Sequence, residues 1–152
     1  MALRIVIGGD NAGFNYKEAL RKDLESDERV TLVADVGVDN PEDTTTYPNV
    51  AVAAAEKVAR GEADRALLIC GTGLGVAIAA NKVKGIRAVT AHDLYSVQRS
   101  VLSNNAQVLC MGERVVGLEL ARVLVKEWLE VQFDPQSSSA AKVDDITAYE
   151  SD

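Results

Sequence analysis

The residues best equipped for chemistry sit in one short stretch, "LICGTGLGVAIAAN", from Leu68 to Asn81. An apolar run ends on the thiol of Cys70 and turns at once through Gly71, Thr72, Gly73 and Gly75 into a segment of helical period. Glycines at a strand-to-helix turn present successive backbone N–H groups, and the helix N-terminus adds a field that favours negative charge. The same field favours thiolate over thiol at Cys70. A cysteine that only packs needs no donor-rich turn beside it, so the glycines shift the reading from core residue to reactive group. No G-K-[ST] follows, which rules out a P-loop. Cys110 ends "AQVLC" with a single glycine nearby and keeps the packing reading.

Other candidates lie at the ends of other apolar runs. "GGDNAG" lacks the G-x-G-x-x-G spacing of a dinucleotide site. Within it Asp10 is either a polar group facing a ligand crevice or a helix N-cap, a role Asn11 could also fill. His92, in "TAHD", is the only histidine. That count, with no clustered Cys/His spacing, argues against zinc and leaves catalytic and hydrogen-bonded structural roles open. Arg114, in "MGER", could grip a phosphate or carboxylate through its fork, or stand as a surface residue at a helix start. Asn104 and Asn105, in "SNNAQ", fit an ordinary turn.

These positions require a scaffold. Short β-branched runs, "LRIVIGG", "VTLVADVG", "ALLICG", "IRAVTAH" and "AQVLCMG", alternate with helical segments near residues 13–25, 48–60, 74–83, 94–103 and 115–132. Nearly all-apolar strands joined by crossover helices predict a parallel sheet buried on both faces. The fold class is therefore α/β, a three-layer Rossmann-like sandwich with a five-stranded parallel sheet. In such sheets ligands bind at the carboxyl ends of the strands, where Asp10, Cys70, His92 and Arg114 all fall.

The chain has 152 residues and 47% hydrophobic content, which suits one domain over residues 1–152, with a tail helix at about 140–149. A net charge of -7 with scattered basic residues predicts no nucleic-acid or anionic-membrane partner. No signal sequence or membrane span is read, and two unpaired cysteines suit a reducing compartment, so a cytoplasmic protein is expected.

The motifs "GGDNAG", "TYPNVA", "LLICGTGLGVAIAANKVKGIRA", "SNNAQVL" and "MGERVVGLELA", in that order from Arg4 to about Tyr149, resemble the family of ribose-5-phosphate isomerase B and the galactose-6-phosphate isomerase subunits. The resemblance implies an aldose-ketose isomerase of phosphorylated sugars that uses neither metal nor other cofactor and acts through an enediolate. Cys70 matches the base of one branch of the family. Gly71, Thr72, Gly73 and Gly75 match the loop whose donors stabilise the enediolate oxygen. Asp10 and Tyr47 match substrate-contacting positions, and Asn104 matches the asparagine beside the ring-opening residue. A homodimer or tetramer with active sites shared between subunits is also implied. On this basis Cys70, Thr72 and Asp10 form the expected catalytic group. Asn11, Tyr47, Gly71, Gly73, Gly75, His92, Ser103, Asn104, Arg114 and Lys142 are the expected substrate contacts.

Three positions depart from the family pattern. Asn11 replaces a substrate-contacting histidine, and Ser103 stands where the ring-opening histidine belongs. The tail "FDPQSSSAAKVDDI" offers Lys142 and a serine near Ser137 or Ser138 where two phosphate-binding arginines are usual. The leading expectation is ribose 5-phosphate/ribulose 5-phosphate chemistry. The alternatives are isomerisation of erythrose 4-phosphate and erythrulose 4-phosphate, for which no furanose has to be opened, or sugar-phosphate binding without turnover. His92 could open a ring in place of the missing residue.

Overall fold

The computed structural model describes residues 1–150. Strand β1 spans Leu3–Gly9, and a 3-10 turn, Asn11–Gly13, leads into α1 at Phe14–Glu25. Then follow β2 (Val30–Asp35), α2 (Tyr47–Ala59), β3 (Arg65–Cys70), α3 (Leu74–Ala80), β4 (Ala88–Thr90), α4 (Leu94–Leu102), β5 (Val108–Gly112), α5 (Leu118–Glu130) and α6 (Ala140–Tyr149). Each strand pairs in parallel, in the order β2-β1-β3-β5-β4. The α/β class and five-stranded sheet expected from the alternation are therefore what the chain adopts.

Side chains alternate across each strand, so the sheet feeds two cores. On one face Ile5, Ile7, Leu67, Ile69, Leu109 and Met111 pack against α1, α4 and α5, with Trp128 fully enclosed. On the other, Val6, Leu68, Cys70, Val108 and Cys110 pack against small side chains such as Ala51, Ala54, Ala77 and Ala80, which let α2 and α3 approach closely. The two-sided burial expected of all strands fails at β2. Its residues alternate half-buried and exposed, because β2 is an edge strand, and Val33 faces solvent. The fourth apolar run is ordered as a strand over only three residues, at the opposite edge.

Strand order sets the site. From β1 the chain moves outward to β2 and then returns to β3 on the other side of β1, which opens a crevice at the carboxyl ends of β1 and β3. Strand β5 enters between β3 and β4 and brings Gly112 into register with Cys70. At the other end of the sheet, Arg65 donates to the carbonyls of Trp128 and Val131 and so closes the C-terminus of α5. Phe133 and Pro135 then share a hollow with Leu3, Arg65 and Asn105, at the amino ends of the strands. Helix α6 follows, and Glu150, just past its end, accepts the Gly85 N–H at 3.2 Å ahead of β4. No helix among the described residues is long and apolar enough to cross a membrane.

Candidate active site

The carboxyl edge is assembled almost wholly from backbone. Gly73 turns the chain with φ +78°, and its N–H donates to Cys70 Sγ at 3.1 Å. The predicted donor-rich turn therefore does aim a donor at the thiol. A Cβ on Gly73 would sit 2.8 Å from the Met111 carbonyl carbon, so glycine is required both by conformation and by space. Thr72 Oγ1 accepts the Leu74 N–H at 3.2 Å, while the N–H groups of Thr72 and Gly75 have no acceptor among the described residues. Those two remain to meet negative charge. The β5 loop is laced to the same turn, Glu113 N–H to Cys70 O at 2.9 Å and Arg114 N–H to Gly71 O at 3.0 Å.

Side chains line this edge from several elements. Asp10 is only 8% exposed, and its Oδ1 accepts the N–H groups of Ala12 and Gly13 at 3.1 and 3.2 Å. Its N-cap role is therefore real. Oδ2 has no donor among the described residues, so the same carboxylate still offers an oxygen to the crevice. Asn11, next in the chain, is exposed. Tyr47 opens α2 and lays its ring where a Cβ on Gly75 would be, 2.2 Å from Cε1. The Arg114 guanidinium lies over Gly71, with Nη1 3.2 Å from a Cβ built there. His92 Nε2 accepts the Gly112 N–H at 2.9 Å, so this imidazole is neutral and carries its proton on Nδ1. Burial pulls its pKa below the ordinary 6.5. Of the two roles open to His92, the hydrogen-bonded structural one is what the geometry supports. A neutral imidazole with Nε2 engaged is poorly placed to open a sugar ring.

Three expected contacts lie elsewhere. Ser103 and Asn104 precede β5 and sit at the amino edge of the sheet, the far end from Cys70. Lys142 is exposed on α6, whose Ile146 and Tyr149 line a groove with Ile86 and Asn104 at that same edge. Within one chain these residues do not meet the thiol, because parallel strands put the loops before and after a strand at opposite ends. At the amino edge Arg87 Nε donates to the Asn104 and Asn105 carbonyls at 3.0 and 3.1 Å, and Asn105 takes φ +47°. Ser103 Oγ accepts from Arg99 Nε at 2.7 Å.

A model of the ribose/galactose isomerase family matches residues 5–146. The chain belongs to that family. It is 87% identical over 150 residues to D-erythrulose-4-phosphate isomerase 2 of Mycolicibacterium smegmatis, covering 99% of each chain. It is 44% identical to ribose-5-phosphate isomerase B of Escherichia coli over 97% of this chain and 96% of that one. The structure of the Clostridium thermocellum ribose-5-phosphate isomerase B superposes with TM-score 0.90 at 40% identity, over 97% of each chain. The chain is thus an isomerase of the ribose/galactose family, and the Rossmann-like sandwich is that family's fold.

Several supporting residues were not anticipated from the sequence. Glu113 Oε1 accepts the Tyr16 N–H at 2.8 Å and its Oε2 accepts from Asn15 Nδ2 at 3.4 Å. A carboxylate on the β5 loop thereby caps α1, whose own first turn has no acidic residue. That missing acid was the available signal. Lys17 is 1% exposed and pairs with Asp35 Oδ2 at 2.7 Å, while Asp35 Oδ1 accepts the Gly37 N–H at 2.8 Å. Val38 N–H reaches Gly9 O at 3.0 Å, so this ion pair holds the backbone immediately before Asp10.

Proposed function

We propose that this protein interconverts D-erythrulose 4-phosphate and the corresponding aldose, erythrose 4-phosphate. Support for the short substrate comes from position 103. A pentose phosphate closes into a furanose through its 4-hydroxyl and needs a titratable group to open it, whereas a tetrose 4-phosphate carries phosphate on that oxygen. Ser103 is no acid or base near neutral pH, and its Oγ is already engaged with Arg99. The 87% identical relative bears the name of an erythrulose-4-phosphate isomerase, which favours the alternative reading of the sequence over the pentose one.

Cys70, as thiolate, takes a proton from C1 of the ketose, leaving an enediolate, and the proton is returned at C2 to give the aldose. Charge grows on the substrate oxygens during this step. The unpaired N–H groups of Thr72 and Gly75 are the donors that stabilise it, a contribution worth about 3 kcal/mol for one such donor. Thr72 Oγ1 already accepts a hydrogen bond, so what its hydroxyl has left to give is its proton, to a substrate oxygen. Asp10 Oδ2 accepts from a sugar hydroxyl, Tyr47 covers the loop, and Arg114 meets the phosphate or a sugar oxygen.

The working unit in this reading is a homodimer. Ser103, Asn104 and Lys142 can join Cys70 only from a second copy, so the amino edge of one chain caps the carboxyl edge of the other. Leu74 and Ile78, one turn apart on α3 next to the thiol loop, are 57% and 64% exposed and give an apolar surface for it. Ile78→Glu should convert the dimer to monomer in sedimentation and remove activity with it; an active monomer would refute shared sites. Turnover of erythrulose 4-phosphate and of ribulose 5-phosphate, followed by aldose formation, tests the substrate. Preference for the pentose would overturn the tetrose reading, and turnover of neither would overturn isomerisation of these sugars altogether.

A further inference from the structure

Ser103 and Arg99 form a unit. The two residues are one helical turn apart at the end of α4, and the Nε–Oγ bond of 2.7 Å fixes the plane of the guanidinium. Use of Nε leaves both Nη groups, the fork that grips a phosphate through two parallel hydrogen bonds. Arg114 aside, which lies at the carboxyl edge over Gly71, the arginines elsewhere on the surface are spent: Arg4, Arg21, Arg29, Arg60 and Arg122 each pair with carboxylates. Arg65 and Arg87 are spent on backbone carbonyls. Arg99 has no carboxylate within salt-bridge distance among the described residues. Its neighbourhood is also rigid. Arg87 clamps the carbonyls of Asn104 and Asn105, and the Gln107 side chain accepts from Arg87 N–H at 2.8 Å and donates to Gly85 O at 2.9 Å.

The chemistry of the substrate says what such a fork is for. A group placed to reach the 4-oxygen of a pentose lies beside a hydroxyl or ring oxygen. At the same place a tetrose 4-phosphate presents a phosphoester. Position 103 therefore has no proton to move and has a dianion beside it instead. We propose that Arg99, oriented by Ser103, is the phosphate ligand that one copy of the chain lends to the active site of the other, and that this pair selects the four-carbon substrate. The proposal rests on the tetrose and shared-site reading above.

The test compares Arg99→Gln with the native enzyme on erythrulose 4-phosphate and on unphosphorylated erythrulose. Loss of a charged hydrogen-bonding pair should raise KM for the phosphorylated sugar by roughly ten- to a hundredfold with kcat little changed. The slow reaction of erythrulose should stay as it was. Ser103→Ala, which frees the guanidinium without removing it, should raise the same KM by a smaller factor, on the order of threefold. An equal loss on both sugars would make Arg99 merely structural and overturn the proposal, as would no change in either KM. Failure of the native protein to act on erythrulose 4-phosphate would reject the substrate reading itself, a result separable from a silent Arg99→Gln in an active enzyme. Co-expression of Cys70→Ala with Arg99→Gln checks the crossing between copies. A mixed two-fold dimer keeps one site with both groups intact, so about half the native activity per mixed dimer should return at low substrate. No recovery would place Arg99 in its own chain's site and refute the exchange.

Discussion

The two edges of this sheet are built from different materials. At the carboxyl edge the groups around Cys70 are mostly backbone: the Gly73 N–H on Sγ, the carbonyls of Cys70 and Gly71 laced to the β5 loop, and glycines where any Cβ would collide. At the amino edge the fixed groups are side chains, Arg99 on Ser103, and Arg87 and Gln107 around the 104–105 turn. Backbone donors cannot be exchanged by substitution, and they suit the proton transfer proposed above. Side-chain forks can be exchanged singly, and they suit the part of the site that reads a particular sugar. In the proposed reading, chemistry lies at one end of the sheet and choice of substrate at the other.

The contrast breaks most visibly at the thiols. Cys70→Ala should cost about 10²–10⁴ in kcat, the usual contribution of a general base, whereas Cys110→Ala should leave the rate alone. Burial pushes the Cys110 thiol well above the ordinary range, in keeping with a packing residue. Equal damage from both substitutions, measured by steady-state kinetics, would remove the distinction between reactive and packed sulfur.

Backbone conformation gives the next effect. Gly73 and Gly61 share nearly the same φ, +78° and +76°, but only Gly73 has backbone within 3 Å of where a Cβ would go. Gly73→Ala should therefore cost about 3 kcal/mol in urea unfolding, strain plus overlap, and slow the reaction by moving the donor off Sγ. Gly61→Ala should cost about 1 kcal/mol, strain alone. Similar values for the two would mean that the loop relaxes freely. Glu113→Ala leaves the Tyr16 N–H of α1 uncapped and removes the Asn15 side-chain contact, and should lower stability by about 2 kcal/mol. Glu113→Gln, which still accepts from Tyr16 N–H, should lose less than half of that.

The smallest effect is a pH dependence. The folded protein holds the His92 pKa below the 6.5 of an unfolded chain, through burial only partly offset by Asp93. The unfolded state therefore binds the extra proton first. The stabilisation is complete above pH 6.5 and is lost as pH falls through the interval below it, where protonation also removes the acceptor for Gly112 N–H. Thermal melts should show a slope in that window that His92→Gln flattens. An unchanged slope would assign it to other groups.

Much of the carboxyl edge was legible because glycine is a visible mark of backbone geometry. "CGTGLG" pointed to a donor-rich turn at Cys70, and "GGDNAG" to a capped turn, before any contact was known. The strands were legible in type, since the alternation of apolar runs and helical segments survives any ordering of the sheet. Their order was not, so the exposed face of β2 was missed: whether an apolar run lies at an edge depends on partners distant in sequence. Glu113 and Tyr16 are 97 residues apart, and the only local trace of their contact is the missing acid in the first turn of α1, which does not say where the cap comes from. Ser103 was read as a histidine that had gone missing, although Arg99 stands four residues before it at a spacing that places both on one helix face. What the eye weighed there was an absence, and the physical content lay in the new pair.

The register of Cys70 with Gly112 also has a bearing on biosynthesis. Strand β5 is the last of the five to leave the ribosome yet belongs between β3 and β4, so until residue 112 has been made both of those strands carry an open edge. Cys70, the base of the proposed reaction, spends that interval without the β5 loop laced across it. Iodoacetamide pulsed during refolding should accordingly modify Cys70 until β5 docks, and the proposed base is most vulnerable to alkylation while the chain is still being born.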